Sequence, residues 1–343
     1  MRSIILTLAM VSTVLGQNQD RVFHFAHTET AQSMQEVATA IRTIGDIKDV
    51  SVDTAQKSFS VHGTAEQIAF ADWLFAGLDQ IVPVQADSAV HEYRLTGVDD
   101  NVVRIYNVNH GQSMQEFQEL ATAVRTIGDI RRLYTCNAPR FIIARGSADQ
   151  LAFADWIIGE IWTHGNVPGP HSISREYLLP ADPSPRPNEN VTRAFYMAQA
   201  PTVQDFQSLA TLVRTVALIR RVYTYNAPRA MLVRGTSDQI KLAAWLFDEI
   251  DRPVASRTGG ASAPYKYQLA ELPEDTVRVF YPVHVSSEQQ FQQIATQVRS
   301  ATGIKGVYAH TGLRALALRG TGEQIDTAER MLKQLDPADF VGN

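Results

Sequence analysis

Val61-His62-Gly63-Thr64, Ala144-Arg145-Gly146-Ser147, Val233-Arg234-Gly235-Thr236 and Leu318-Arg319-Gly320-Thr321 are four versions of one phrase in a chain of 343 residues. Each runs on through one further residue into Glu or Asp and then Gln, as in Ala65-Glu66-Gln67 and Ser237-Asp238-Gln239. Twenty-one residues before each glycine stands an arginine (Arg42, Arg125, Arg214, Arg299), and 21 before that another (Arg21, Arg104, Arg193, Arg278). Spacing inside the unit is constant, whereas the glycines are 83, 89 and 85 residues apart. A module written four times on linkers of variable length is the reading that decides the fold.

In the second copy, Val102-Val103-Arg104-Ile105-Tyr106 is β-rich and reads as a strand. Ser113 opens a helix in which Met114, Phe117, Leu120, Ala121 and Val124 recur at helical spacing, with Ser113 and Glu116 in a capping-box pattern. Arg131 to Tyr134 and Phe141 to Ala144 form a hairpin about the turn Asn137-Ala138-Pro139-Arg140, which places Cys136 in the connecting loop. Gly146 to Gln150 then caps a second helix running to about Trp162. The order is β-α-β-β-α. It predicts an α+β fold of four tandem modules, each a three-stranded sheet with two helices on one face, over residues 20–80, 91–163, 175–252 and 265–337.

Proline and glycine mark the linkers: Pro83; Pro168 to Pro187; Pro253 to Pro264. Each linker holds a β-like patch, Glu92-Tyr93-Arg94-Leu95, Glu176-Tyr177-Leu178-Leu179 and Lys266-Tyr267-Gln268-Leu269, able to pair with the following first strand. The N-terminus has one cation, Arg2, an apolar run from Ile4 to Leu15, and small residues before Gln17. This pattern predicts a secretory signal peptide, residues 1–16, cut after Gly16, and hence a periplasmic or secreted protein that does not span a membrane after cleavage. The remainder carries 30 Lys+Arg against 36 Asp+Glu, a formal charge of −6, which is no footprint for nucleic acid. With Cys136 as the one cysteine, the modules fold without an internal disulfide.

The phrase around each glycine, set after strand, helix and hairpin and leading into an amphipathic helix, resembles the repeated N-terminal domains of bacterial secretins. That resemblance implies KH-like βαββα modules of periplasmic rings, packed side by side in secretion and pilus machines. The family's outer-membrane part follows such domains. Here the chain reaches Asn343 without an amphipathic β-barrel segment, so pore formation is not expected. KH modules clamp nucleic acid through a Gly-x-x-Gly loop between helices. None of the four copies has one, and nucleic acid is not an expected partner.

No His-Glu-x-x-His, cysteine pair or carboxylate cluster at ligand spacing occurs, and no Gly-x-Ser-x-Gly elbow. No catalytic, cofactor or metal site is expected. Arg42, Arg125, Arg214 and Arg299 fall in the last turns of the first helices, where they either complement the helix dipole or form an anion- or partner-binding stripe. On the second helices, Ile68, Ala71, Phe75 and Leu78 share one face, as do Leu151, Ala154, Ile158 and Ile161; Ile240, Ala243, Phe247 and Ile250; and Ile325, Ala328, Leu332 and Leu335. About 170° away lie Phe70 and Trp73, Phe153 and Trp156, and Leu242 and Trp245, replaced in the fourth copy by Thr327 and Arg330. These six are the interface candidates: each tryptophan either covers its own linker or the next copy, or the stripe docks a partner or a second chain. The expected function is non-catalytic binding or scaffolding in a bacterial envelope, accessory to a secretion or type IV pilus system, through protein partners or self-association. The alternative is an enzyme or small-ligand carrier with its site in a cleft between copies.

Overall fold

The computed structural model describes residues 18–81, 91–108, 113–164, 175–180, 188–197, 202–226, 229–251, 266–269, 275–282, 285 and 287–336. The expected signal peptide, residues 1–16, and most linker prolines and glycines lie outside the described residues. The first copy forms β1 (Gln19–His24), α1 (Ala31–Gly45), β2 (Asp49–Asp53), β3 (Ser58–Gly63) and α2 (Ala65–Leu78). The second forms β4 (His91–Arg94), β5 (Val102–Asn107), α3 (Met114–Gly128), β6 (Arg132–Asn137), β7 (Arg140–Gly146) and α4 (Ala148–His164). The third forms β8 (Glu176–Leu178), β9 (Val191–Tyr196), α5 (Val203–Val216), β10 (Arg221–Tyr225), β11 (Ala230–Gly235) and α6 (Ser237–Ile250). The fourth forms β12 (Lys266–Gln268), β13 (Asp275–Phe280), α7 (Glu288–Thr302), β14 (Gly306–His310), β15 (Ala315–Thr321) and α8 (Gly322–Leu335).

The protein is α+β, with eight helices and four antiparallel sheets among the described residues. Three sheets have four strands rather than three, because each linker patch adds to the outer edge of the first strand: β4-β5-β7-β6, β10-β11-β9-β8 and β12-β13-β15-β14. The first sheet has three, β1-β3-β2. Cys136 lies within β6, opposite Phe141, and not in a loop, since the turn needs only Ala138 and Pro139 and the ladder runs on to Asn137 and Arg140. Its thiol is buried, which pushes its pKa up and leaves it protonated and poorly nucleophilic.

The repeated glycine is required by contact. A Cβ on Gly63, Gly235 or Gly320 would stand 2.7–2.8 Å from Oε1 of Gln67, Gln239 or Gln324. That glutamine closes a capping box: the backbone N–H groups of Thr64, Thr236 and Thr321 donate to its Oε1 at 2.9–3.0 Å, while its own N–H donates to the threonine hydroxyl. Its amide also reaches the carbonyl that ends the first helix, at Asp46, Leu218 and Thr302. One phrase therefore starts the second helix and ties it to the end of the first. The repeated helix arginines have a structural use as well. Nη2 of Arg42, Arg214 and Arg299 donates to the carbonyls of Val50, Val222 and Val307 at 2.6, 2.7 and 2.9 Å, joining each last turn to the strand that follows.

Asp79, just past α2, accepts from the N–H groups of Ala26, His27 and Thr28 at 2.7, 3.0 and 2.7 Å and from the Thr28 hydroxyl at 2.8 Å. Burial alone would raise its pKa; the hydrogen bonds outweigh burial and hold it below the ordinary 3.8. A depressed folded-state pKa contributes stability above the unfolded value that is lost as pH falls through the folded one. The first module is therefore expected to weaken as pH drops below about 4. Asp79→Asn should flatten that acid limb in urea titrations followed by hydrogen exchange of residues 19–28. An unchanged limb would show that other carboxylates set it.

By packing, the chain divides into two compact units that cut across the period: Met1–Met114 with Arg131–Ala148, and Gln115–Ile130 with Asp149–Asn343. In the first unit, α1 packs on β2 of its own module and also on β6 and β7 of the next. In the second unit, α5 packs on β10 of its own module and on β14 and β15 of the next. The strand alternation explains how one sheet serves both. On β15, Leu316 and Leu318 join the core of α7 and α8, whereas Ala315 and Ala317 join the core of the preceding module.

Candidate interaction site

Within each unit the junction of consecutive modules is the best-developed polar site, and its parts recur at fixed positions. Arg145, before the second glycine, donates through Nη1 to the carbonyl of Ile44 at 2.8 Å, in the last turn of α1. Arg234 does the same to Ile127 at 2.9 Å and Arg319 to Val216 at 3.0 Å. A guanidinium at a helix C-terminus meets both orphan carbonyls and the negative end of the dipole. Carboxylates hold the other side of the fork: Arg145 bonds Asp100 at 3.0 Å and Asp46 at 3.2 Å, and Arg319 bonds Asp275 at 3.0 Å.

A second clamp sits one helical turn or more away. Glu36 accepts from the backbone N–H and the side-chain amide of Asn137 at 2.8 and 2.7 Å, and Glu119 accepts from the same groups of Asn226 at 3.0 and 2.8 Å. At the third junction His310 substitutes. Its Nδ1 accepts from the Leu313 N–H at 3.1 Å, so Nε2 is the donor to the Asp205 carbonyl at 2.9 Å. A tyrosine completes the set: Tyr134 hydrogen-bonds Thr39, Tyr223 bonds Thr122, and Tyr308 bonds Ser208 and Thr211. Burial, with the Glu119 carboxylate, pushes the Tyr223 hydroxyl up to about 12, so it remains a neutral donor.

The third junction lacks one element. Arg132 pairs with Asp46 at the first and Arg221 with Asp129 at the second, but Gly306 and Leu218 hold those positions at the third. A cleft of about 430 Å³ opens there, lined by Leu218, Lys305, Arg319 and Gln324 among others. Its guanidinium is already committed to Asp275 and Val216. A similar cleft of about 450 Å³ lies between the first turn of α2 and β4, walled by Phe70, Tyr93 and Leu95.

The stripe residues divide into two kinds. Phe70, Phe153 and Leu242 are fully buried, and Trp73, Trp156 and Trp245 are half-buried. Trp73 and Phe70 pack on Tyr93, with ring centroids 5.1 and 5.5 Å away; Trp156 and Phe153 pack on Tyr177 at 5.5 and 4.8 Å; Trp245 packs on Tyr267 at 5.6 Å. Each tryptophan thus touches the tyrosine of the linker strand that follows it. Leu74, Ile157 and Leu246, between the two faces, are buried and were not on the expected core face, whereas Leu335 is exposed. Thr327 in the fourth copy donates back to the Glu323 carbonyl, and Arg330 bonds Thr327. The sequence reading missed the junction arginines, asparagines and tyrosines as a set, although each recurs at constant spacing from the glycine.

Among the described residues no group of three or more His, Cys, Asp or Glu could hold a metal ion, and no helix is long and apolar enough to cross a membrane. No family model matches the chain, and no curated protein does. Among solved structures, the chain is similar to Aeromonas hydrophila ExeD at 13% identity, covering 69% of this chain and 41% of that one, with a TM-score of 0.16. It is also similar to the ETEC pilotin–secretin AspS–GspD complex (14% identity, 73% and 38% covered, TM-score 0.16). A third is the type II secretion system secretin GspD of E. coli K12 (8% identity, 89% and 58% covered, TM-score 0.16). The chain spans less than two thirds of the length of each of the three.

Proposed function

We propose that this chain is a non-catalytic, exported scaffold of the bacterial envelope, built of KH-like modules of the secretin N-domain kind and accessory to a secretion or type IV pilus system. The observation that carries the reading is the repeated junction. A recurrent set of polar residues, Arg145, Arg234 and Arg319 with Asn137, Asn226 and His310, is invested in joining one module to the next, which is the chemistry of a scaffold. Export rests on the apolar N-terminal segment ahead of Gln17. In the same reading, Phe70, Trp73, Phe153, Trp156, Leu242 and Trp245 keep modules and linkers in register and offer the half-buried indole edges to a protein partner.

Fractionation of a Gram-negative host, with mass spectrometry of the mature protein, tests export: the N-terminus is expected within a few residues of Gln17 in the periplasm or medium. Intact Met1 protein in the cytoplasm would overturn it. Trp156→Ala and Trp245→Ala test the stripe. Each is expected to cost about 1–2 kcal/mol for a half-buried ring and to raise hydrogen exchange in β8 or β12. If exchange there, scattering profile and assembly all match the parent, the stripe has no role in contact.

A further inference from the structure

We infer that the surfaces forming the junctions inside this chain are closed at its first and fourth modules, so that two copies do not join head to tail through them. Each junction has a receiving sheet face and a donor helix face, and the modules can be compared position by position. The receiving face of the second module presents Phe141, Ile143 and Arg145, all buried, with Tyr134 beside them. At the same positions the third and fourth modules have Ala230, Leu232 and Arg234, and Ala315, Ala317 and Arg319. The first module has Ser58, Ser60 and His62, with Ser51 in place of the tyrosine. The Ser51 and Ser60 hydroxyls bond each other at 2.7 Å, Ser58 is already buried within its own module, and His62 turns aside to Asp20 at 2.8 Å.

The donor face shows the reciprocal change. In α1, Glu36, Ala40 and Ile44 lie on one stripe, bracketed by the bonds to Asn137 and Arg145. Ala40 and Ile44 are inaccessible, as are Ala123 and Ile127 of α3, and Leu212 and Val216 of α5 are nearly so. The corresponding residues of α7 are Gln293, Gln297 and Ala301, all exposed. Seating Gln297 and Gln293 against Ser51, Ser60 and His62 would desolvate amides, hydroxyls and an imidazole for little apolar burial, an unfavourable exchange. Polar outer faces on such modules keep repeat arrays from propagating. This deepens the scaffold reading by removing one class of partner, a second copy joined through this surface.

The test adds the missing chemistry to each face separately. One variant carries Ser58→Phe, Ser60→Ile and His62→Arg; the other carries Gln293→Glu, Gln297→Ala and Ala301→Ile. In sedimentation velocity each alone is expected to run as the parent does, and an equimolar mixture as a species of twice the parent's mass. If both are folded by circular dichroism and the mixture sediments as the parent does, these residues do not close the junction and the inference fails. A third chain, native apart from Ser60→Cys and Gln297→Cys, decides the matter even if a face variant does not fold. No inter-chain disulfide is expected under oxidation, and a disulfide-linked ladder would overturn the inference. Export and stripe measurements are read separately, so either proposal can fail without the other.

Discussion

Arg145→Ala is expected to loosen the first junction by about 2–4 kcal/mol, the range for removing a charged, multiply bonded partner from a buried polar network. The side chain is 4% exposed and makes four hydrogen bonds: to the Ile44 carbonyl, to the Asp100 carbonyl and carboxylate, and to Asp46. Asp46 and Asp100 are 56% and 36% exposed, so water can recover them, which keeps the loss below that of a fully buried ion pair. The Ile44 carbonyl, at the end of a helix whose last residues are buried against β6 and β7, is not so readily recovered. Arg145→Lys should restore under half of the loss, since a single ammonium cannot serve a helix carbonyl and two aspartates in one plane. Urea unfolding of the full chain, with hydrogen exchange resolved over residues 31–46 and 131–146, would show both effects. A loss below about 0.5 kcal/mol, within what exposed ion pairs contribute, would demote the arginine to a surface role.

Phe70→Ala should cost more, about 3–5 kcal/mol, the range for deleting a buried phenylalanine. The ring is 1% exposed and faces Trp73 and Tyr93. It also approaches Gly45 so closely that a Cβ there would stand 2.7 Å from it. Gly45→Ala is therefore the complementary experiment, an overpacked contact worth about 1–3 kcal/mol. Trp73→Ala, at a half-buried ring, should lose less than either the phenylalanine or the same stripe residue in the second copy, Phe153, which is 0% exposed. If truncating Trp73 cost more than truncating Phe70, the stripe would be held from the tryptophan side, by something that covers its exposed edge.

These expectations reverse the emphasis that periodicity alone suggests. The periodicity of α2 sets Phe70 and Trp73 opposite a core face, where they either cover the linker or next copy or dock a partner. In the structure Phe70 lies inside, because α2 is covered on its second side by the end of α1 and by β4. Burial on two sides also accounts for Leu74, Ile157 and Leu246, which belong to neither expected face. The tyrosine patches of the linkers were legible as strands, and their pairing with β5, β9 and β13 follows from β propensity beside an open edge. That each tryptophan covers its own linker was one of two readings the sequence left open; that the linker residue it meets is the tyrosine was not legible, since such a contact has no periodic trace.

One signal for the junction was in plain view. Ser58-Phe59-Ser60-Val61 alternates as a strand buried on one face does, whereas Phe141-Ile142-Ile143-Ala144, Ala230-Met231-Leu232-Val233 and Ala315-Leu316-Ala317-Leu318 are continuously apolar. Continuous runs belong to strands covered on both faces. Read that way, three of the four sheets needed a second layer that their own two helices could not supply. Constant spacing and apolar pattern thus determined the element order, the helix caps and one buried face of each second helix, because local backbone preferences and burial leave periodic marks. Which surface does the burying was decided only by tertiary structure. A sheet back closed by the previous module's first helix, and an arginine whose partner is a carbonyl 101 residues earlier, depend on chain segments that propensity treats as independent.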